Sequence, residues 1–310
     1  VETDSQRRAY EQAFTDAGID PVDRIVIVTD PGSPLDKSSR ESGYRVVNAD
    51  PDVGGRYSAL TAFGLVPSGL LDEAEAVSDL LAEDDEANPG LRLGAAMAGT
   101  SPLRNKLVLV DQGSGLVGFA DWAEQLIAES TGKLGTGVLP VVVPDDSAPE
   151  VALPPHDVTV ARLVGDDAIE GDHDTADGTD ATGSDVSVTG PIGAQMLLWE
   201  VATAAAGRIL GINPFDQPDV ESAKIAARSM LEGSPDSAPP SFTDGPVEVR
   251  ALGGDWLGDA SDLAGAVTAL LGQVDAQQGY VAVMAYLDRL ADADLEHVAR
   301  DLFDRTGRPA

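Results

Sequence analysis

Short aliphatic runs recur along the chain, separated by longer stretches in which apolar residues return every three or four positions. RIVIVTD (24–30), NKLVLVDQG (105–113), VLPVVV (138–143) and DVTVARLVG (157–165) each end in polar or glycine residues. That is the signature of strands buried on both faces of a parallel sheet. VEVRALGG (247–254) and GYVAVMAYL (279–287) continue the series. The helical patterns between them are TDSQRRAYEQAFTDAG, GLLDEAEAVSDLLAEDD, DWAEQLIAESTG, AQMLLWEVATAAAGRILG and DLEHVARDLFDRTG. Thr3 is placed to cap the first, and several end at glycine. Alternation of this kind predicts an α/β architecture with mostly parallel sheets. Ligands in such sheets are expected at the carboxyl ends of the strands.

Two segments break the pattern. GDDAIEGDHDTADGTDATGSD (165–185) holds eight acids and no base. Its DHDTADG core is suggestive of a calcium loop, but the twelfth position counted from Asp172 is Gly183 rather than a glutamate, so it reads as a solvated surface loop. EGSPDSAPPSFTDGP (232–246) is a second excursion.

Charge narrows the partners. Fifty-three acids against twenty bases give a net charge of −33, and only four of the bases are lysines. Such a field repels nucleic acid and anionic lipid, which excludes both as partners. It fits either a surface adapted to high salt or a general acidic bias. No apolar run approaches the ~18 residues of a membrane span. The absence of cysteine removes disulfides and thiolates and fits a cytoplasmic protein. No apolar signal-peptide region is visible, and Val1 does not read as a natural start.

Three segments could carry chemistry. In GGRYSALTAFGL (54–65), Gly54 and Gly55 permit a sharp turn after the extended YRVVNAD and open a helix, whose first amides would join Arg56 in facing an anion or oxyanion. A glycine turn with a surface arginine explains the same residues. In DWAEQLIAESTG, Trp122, Ala123, Leu126 and Ile127 form one apolar stripe, and Glu129 lies on another face, where a carboxylate is ordinarily solvated. TGKLG is no phosphate loop, because that pattern requires glycine where Ile127 stands. GRILGINPFDQPDVESAK (207–224) reads as a helix, an Asn-Pro turn and a second helix, with Lys224 about two turns in and, by itself, a surface residue.

Taken together and in this order, VGGRYSALTAFGLVP, WAEQLIAESTGKLGTGVLPVV and LLWEVATAAAGRILGINPFDQPDVESAK resemble the glucose-6-phosphate isomerase family. The flavour is closest to the isomerase half of bifunctional transaldolase–isomerase chains, where GYVAVMAYL also has a counterpart. The resemblance implies flavodoxin-like, three-layer α/β/α subdomains of the sugar-isomerase (SIS) type. On this basis residues 1–67 are expected to be the end of a first SIS subdomain, 68–103 connecting helices, and 104–310 most of a second. It implies interconversion of glucose 6-phosphate and fructose 6-phosphate through an enediolate, by a homodimer of the full-length protein, with no metal and no redox cofactor.

By resemblance, Glu129 matches the proton-transfer base, Arg56 the arginine that stabilises the enediolate, and Lys224 a lysine assisting ring opening. Thr3, Gly55 and Gln217 match positions bordering the sugar phosphate. An aldose–ketose isomerase needs one carboxylate base and a fixed cation, which agrees with this set. The family's Gly-Ile-Gly-Gly-Ser stretch is absent, and of its Ser-Gly-Thr-Thr-x-Glu-Thr stretch only Val1-Glu2-Thr3 corresponds. None of His156, His173 and His297 sits in the context of the ring-opening histidine. The chain is therefore expected to be an internal part of an isomerase, inactive alone. A non-catalytic SIS module that binds a sugar phosphate is the alternative. A Rossmann dehydrogenase is disfavoured, since GSGLVG (113–118) does not complete a dinucleotide turn.

Overall fold

The structure is a computed structural model that describes residues 2–68, 71–82, 87–165, 185–216, 218–232, 239–288, 291–292 and 296–310. It divides into two compact units, Val1–Gly90 with Pro191–Val201 and Leu91–Gly190 with Ala202–Ala310. The acidic stretch lies almost wholly outside the described residues, as does part of the Pro/Ser segment, and so do His173 and Gln217.

The first unit opens with α1 (Glu2–Asp16), so Thr3 lies within the first helical turn rather than capping it. β1 (Val26–Thr29), α2 (Pro34–Glu41) and β2 (Arg45–Asn48) form a compact βαβ unit with parallel strands. Ser33 caps α2 by accepting from the Asp36 amide (3.1 Å). Asp36 in turn ties the unit together, accepting from Gly32 N (2.9 Å), Arg40 Nε (2.7 Å) and Asn48 Nδ2 (3.2 Å). The backbone hydrogen bond from Gly32, then that from Asn48, holds its carboxyl below the ordinary value. A single 3₁₀ turn at Gly55–Tyr57 follows, then α3 (Ala62–Ser68) and α4 (Leu71–Ala82). Gly64 is obligatory here, because a Cβ would lie 1.8 Å from the carbonyl oxygen of Ala59. α5 (Pro89–Ala98) straddles the division between the units.

The second unit holds a four-stranded parallel sheet in the order β4-β3-β5-β6, from β3 (Lys106–Gln112), β4 (Leu139–Val143), β5 (Val158–Val164) and β6 (Asp185–Val188). The aliphatic character of β3 follows from its central place: Leu107, Val108, Leu109 and Val110 are all fully buried. Because successive side chains alternate, Val108 and Val110 join Val158 and Val160 on one face. There they pack with Ala148 and with Val151 of α7 (Pro149–Ala152). On the other side α6 (Phe119–Thr131) covers β3 and β4, burying Ala123, Leu126 and Ile127. The predicted stripe of that helix is thus its core face. With α11 (Glu296–Thr306) against α7, the unit has three α/β/α layers.

The rest of the chain departs from the sequence reading. α8 (Ile192–Leu210) and α9 (Pro218–Glu232) form the expected helical corner, and α10 (Leu263–Leu271) is an added helix. Residues 247–254 supply only β8 (Val247–Val249), which pairs antiparallel with β7 (Phe242–Asp244) instead of joining the parallel sheet. Residues 279–287 form no strand, and Tyr280, Val283, Met284 and Tyr286 are exposed. Hydrophobicity alone does not make a strand; a paired neighbour does.

A buried ionic cluster fixes the end of the chain in this unit. Asp157 Oδ2 accepts from Lys106 Nζ (2.6 Å) and from Arg308 Nη2 (2.5 Å). Lys106 also donates to Gln278 O (2.9 Å) and Arg308 Nε to Gly279 O (2.8 Å). Burial opposes the charge on Asp157, yet these donors hold its carboxyl below the ordinary value. Among the described residues no helix is long and apolar enough to cross a membrane.

Candidate active site

Glu129 sits in the last turn of α6, half-buried, with the fully buried Ser130 and Thr131 after it. Gln125 Nε2, one turn back, donates to Glu129 Oε1 (3.1 Å). Thr131 Oγ1 donates to Ile127 O (2.8 Å) and accepts from Val138 N (2.9 Å), pinning the start of β4 to the end of the helix. In between, Lys133 and Thr136 exchange two backbone hydrogen bonds of 3.1 Å around Leu134 (φ 56°) and Gly135 (φ 78°). Two central residues at positive φ define a type I′ turn. Glu129 therefore lies where α6 returns to the amino ends of β3 and β4, the edge at which the Asn105 carbonyl accepts from Leu139 N. Ligands are expected at the carboxyl ends of the strands, whereas Glu129 stands at the opposite edge. The chain direction explains it, because a helix that follows a strand in a parallel sheet runs back to the strands' starting edge.

The α8–α9 corner is built from local rules. Ile212 N donates to Gly207 O (3.0 Å) and Gly211 N to Arg208 O (3.3 Å), with Gly211 at φ 73°. This is a Schellman end. Pro214 then folds onto α8, against Gly207, where a Cβ would lie 2.9 Å from the proline ring. Asn213 Oδ1 accepts from Phe215 N (3.1 Å). Lys133, 5% exposed, reaches this corner and donates to Asn213 O (2.9 Å), Asp216 O (2.6 Å) and Asp216 Oδ1 (2.7 Å). The end of α6 and the start of α9 are thereby joined.

The predicted residues fall as follows. Arg56 and Gly55 lie in the 3₁₀ turn of the first unit. Arg56 is 3% exposed, with its guanidinium 5.4 Å from the Tyr57 ring centroid, so it is no surface arginine. The turn is a single 3₁₀ turn rather than a helix start, and α3 begins only at Ala62. Glu129 and Lys224 belong to the second unit; Lys224 is exposed, in the second turn of α9. Thr3 lies in α1 of the first unit, and Gln217 is outside the described residues. His156 and His297 are exposed. Among the described residues no group of three or more His, Asp or Glu is arranged to hold a metal ion. Sequence reasoning did not single out Lys133, which it met only in the rejected phosphate-loop pattern TGKLG.

The parallel three-layer arrangement places the chain in the α/β class of SIS-like folds. A solved glucose-6-phosphate isomerase from Chlamydia trachomatis shares that fold, with a TM-score of 0.53 at 21% identity, over 73% of this chain and 56% of that one. By sequence, the chain is 28% identical over 282 residues to a probable glucose-6-phosphate isomerase of Natronomonas pharaonis, covering 75% of this chain and 65% of the relative. It is 30% identical over 270 residues to the glucose-6-phosphate isomerase of Rubrobacter xylanophilus, covering 70% of this chain and 62% of the relative. No protein-family model matches. The chain is thus similar to glucose-6-phosphate isomerases over most of its own length, and it spans less than two thirds of the length of these relatives.

Proposed function

We propose that this chain carries the proton-transfer machinery of an aldose–ketose isomerase that interconverts glucose 6-phosphate and fructose 6-phosphate through an enediolate. Glu129 moves the proton between C1 and C2, Arg56 stabilises the enediolate oxygens, and Lys224 assists ring opening. Thr3, Gly55 and Gln217 border the substrate. The full-length protein acts as a cytoplasmic homodimer in glycolysis and gluconeogenesis, and this chemistry calls for neither metal nor redox cofactor.

One observation carries the reading: Glu129 is half-buried in the last turn of α6. The negative end of the helix dipole disfavours an anion there. A carboxylate whose only task is solvation gains nothing from that place, whereas a base must be held still and partly shielded. The 310 residues alone are proposed to turn over closed sugars poorly, since the resemblance gives none of the three histidines a ring-opening role.

Two measurements test this without requiring catalysed ring opening. By calorimetry, an acyclic phosphorylated hydroxamate that mimics the enediolate should bind at least about 100-fold more tightly than fructose 6-phosphate. By NMR in deuterated water, the chain should exchange a C1 hydrogen of open-chain fructose 6-phosphate, and Glu129→Gln should slow that exchange by about 10²–10⁴. Unchanged exchange in Glu129→Gln would return Glu129 to solvated filler. Equal binding of mimic and substrate with no exchange would favour a non-catalytic sugar-phosphate module.

A further inference from the structure

We propose that Lys133 is a positioning residue, which sets the α8–α9 corner in register with the end of α6 that bears Glu129. The proposal rests on the isomerase reading above. A lysine is almost never buried without partners, and this one is 5% exposed with three acceptors for its three N–H donors, at 2.9, 2.6 and 2.7 Å. Two of them are main-chain carbonyls, of Asn213 and Asp216, that lie beyond the end of α8 and ahead of α9. The third is the Asp216 carboxylate, itself half exposed.

The ammonium therefore takes the place that a backbone partner would have in a continuous helix. It projects from the type I′ turn, four residues beyond Glu129, and α9 starts two residues beyond Asp216. Six residues into α9 stands Lys224. Glu129 and Lys224, the two predicted residues of this unit that the structure describes, are thus hung from elements that one side chain locks together. The Schellman end and the Pro214–Gly207 contact already close the corner on α8. Neither fixes it to α6. A displacement of about 1 Å in such a frame costs about 100-fold in rate or in binding of a reacting geometry, while loose substrate binding is spared.

The test compares Lys133→Met and Lys133→Arg with the unaltered 310-residue chain. Amide hydrogen exchange is followed at Ile212 and Phe215, and calorimetry is run with the phosphorylated hydroxamate and with fructose 6-phosphate. In Lys133→Met, exchange at both amides should rise at least about tenfold; the hydroxamate should lose about 10–100-fold in affinity, and fructose 6-phosphate less than about threefold. Lys133→Arg keeps the charge but its planar fork does not match three converging acceptors, so it should show the same selective loss. It carries the comparison alone if Lys133→Met does not fold. Unchanged exchange would show that the corner holds without Lys133 and overturn the proposal. Faster exchange with equal losses for both ligands, or with none, would make Lys133 a structural brace and overturn it too. An unaltered chain that binds neither ligand would sink the isomerase reading and the proposal with it; that failure is distinct because it shows before any substitution.

Discussion

Glu200, on α8, offers the sharpest energetic test of the packing. It is half-buried, and its Oε1 has no hydrogen-bond partner among the described residues. Burial pushes its carboxyl from the ordinary 4.5 up to about 8. Between those values the folded chain holds a proton that the unfolded chain has released. Stability must therefore fall as pH rises through the window, since it falls wherever the folded state binds more protons. At 1.36 kcal/mol per pH unit the full window amounts to about 5 kcal/mol. Partial solvent access reduces this, and about 2–4 kcal/mol is the working expectation. Glu200→Gln removes the titration and leaves the shape. Its own cost or gain does not depend on pH, and the remaining carboxylates cancel when variant and wild type are compared at one pH. Urea unfolding at pH 5, 6, 7 and 8 should show the variant gaining on the wild type at each step. A difference that moves by less than about 0.5 kcal/mol across the series would mean that Glu200 is charged and solvated in the folded chain, and the reasoning from burial would be wrong.

Other consequences are accessible to the same methods. Asp157→Asn leaves Lys106 and Arg308, 1% and 2% exposed, without their shared counter-charge; a loss of about 3–5 kcal/mol is expected at neutral pH, and a loss under about 1 kcal/mol would show that the cluster is dispensable. Leu134, at φ 56° and 84% exposed, holds a left-handed conformation that asparagine tolerates better, so Leu134→Asn should stabilise by about 0.5–1 kcal/mol in a urea titration. A loss on that substitution would mean that the leucine side chain makes a contact the turn depends on.

Much of the second unit could be read from the sequence, and the reason is physical. β3 and β5 are covered on both faces, so aliphatic residues dominate both, in an unbroken LVLV run in β3 and around Thr159 and Arg162 in β5, and α6 needs a stripe because only one of its faces meets the sheet. The failures share a cause as well. Residues 247–249 and 279–287 are as apolar as the true strands, but strand identity is decided by partners distant in sequence. β6, four residues whose burial merely alternates beside an acidic stretch, gave too weak a signal to be seen. Arg56 and Glu129 looked ordinary for a related reason. A local pattern shows which residues could face solvent, whereas burial of Arg56 and half-burial of Glu129 arise from packing.

Lys133 carries that argument furthest. In the sequence it is the lysine of a failed phosphate-loop match, with a glycine before it and a leucine after it. Its three acceptors lie eighty or more residues away. No periodicity or spacing could assign them, because the turn that aims the side chain depends on Leu134 and Gly135 at positive φ, and the acceptors exist only once α8 has ended at Gly211 and Pro214 has folded back on Gly207. Two local devices, each legible alone, thus meet at one ammonium. A conventional lysine-to-glutamine exchange would keep a donor but supply two N–H groups for three acceptors and no charge for Asp216. The position is therefore narrower in its chemistry than the short polar turn around it suggests, and the tolerance of a site to substitution follows from how many distant groups converge on it rather than from how ordinary its neighbours in sequence look.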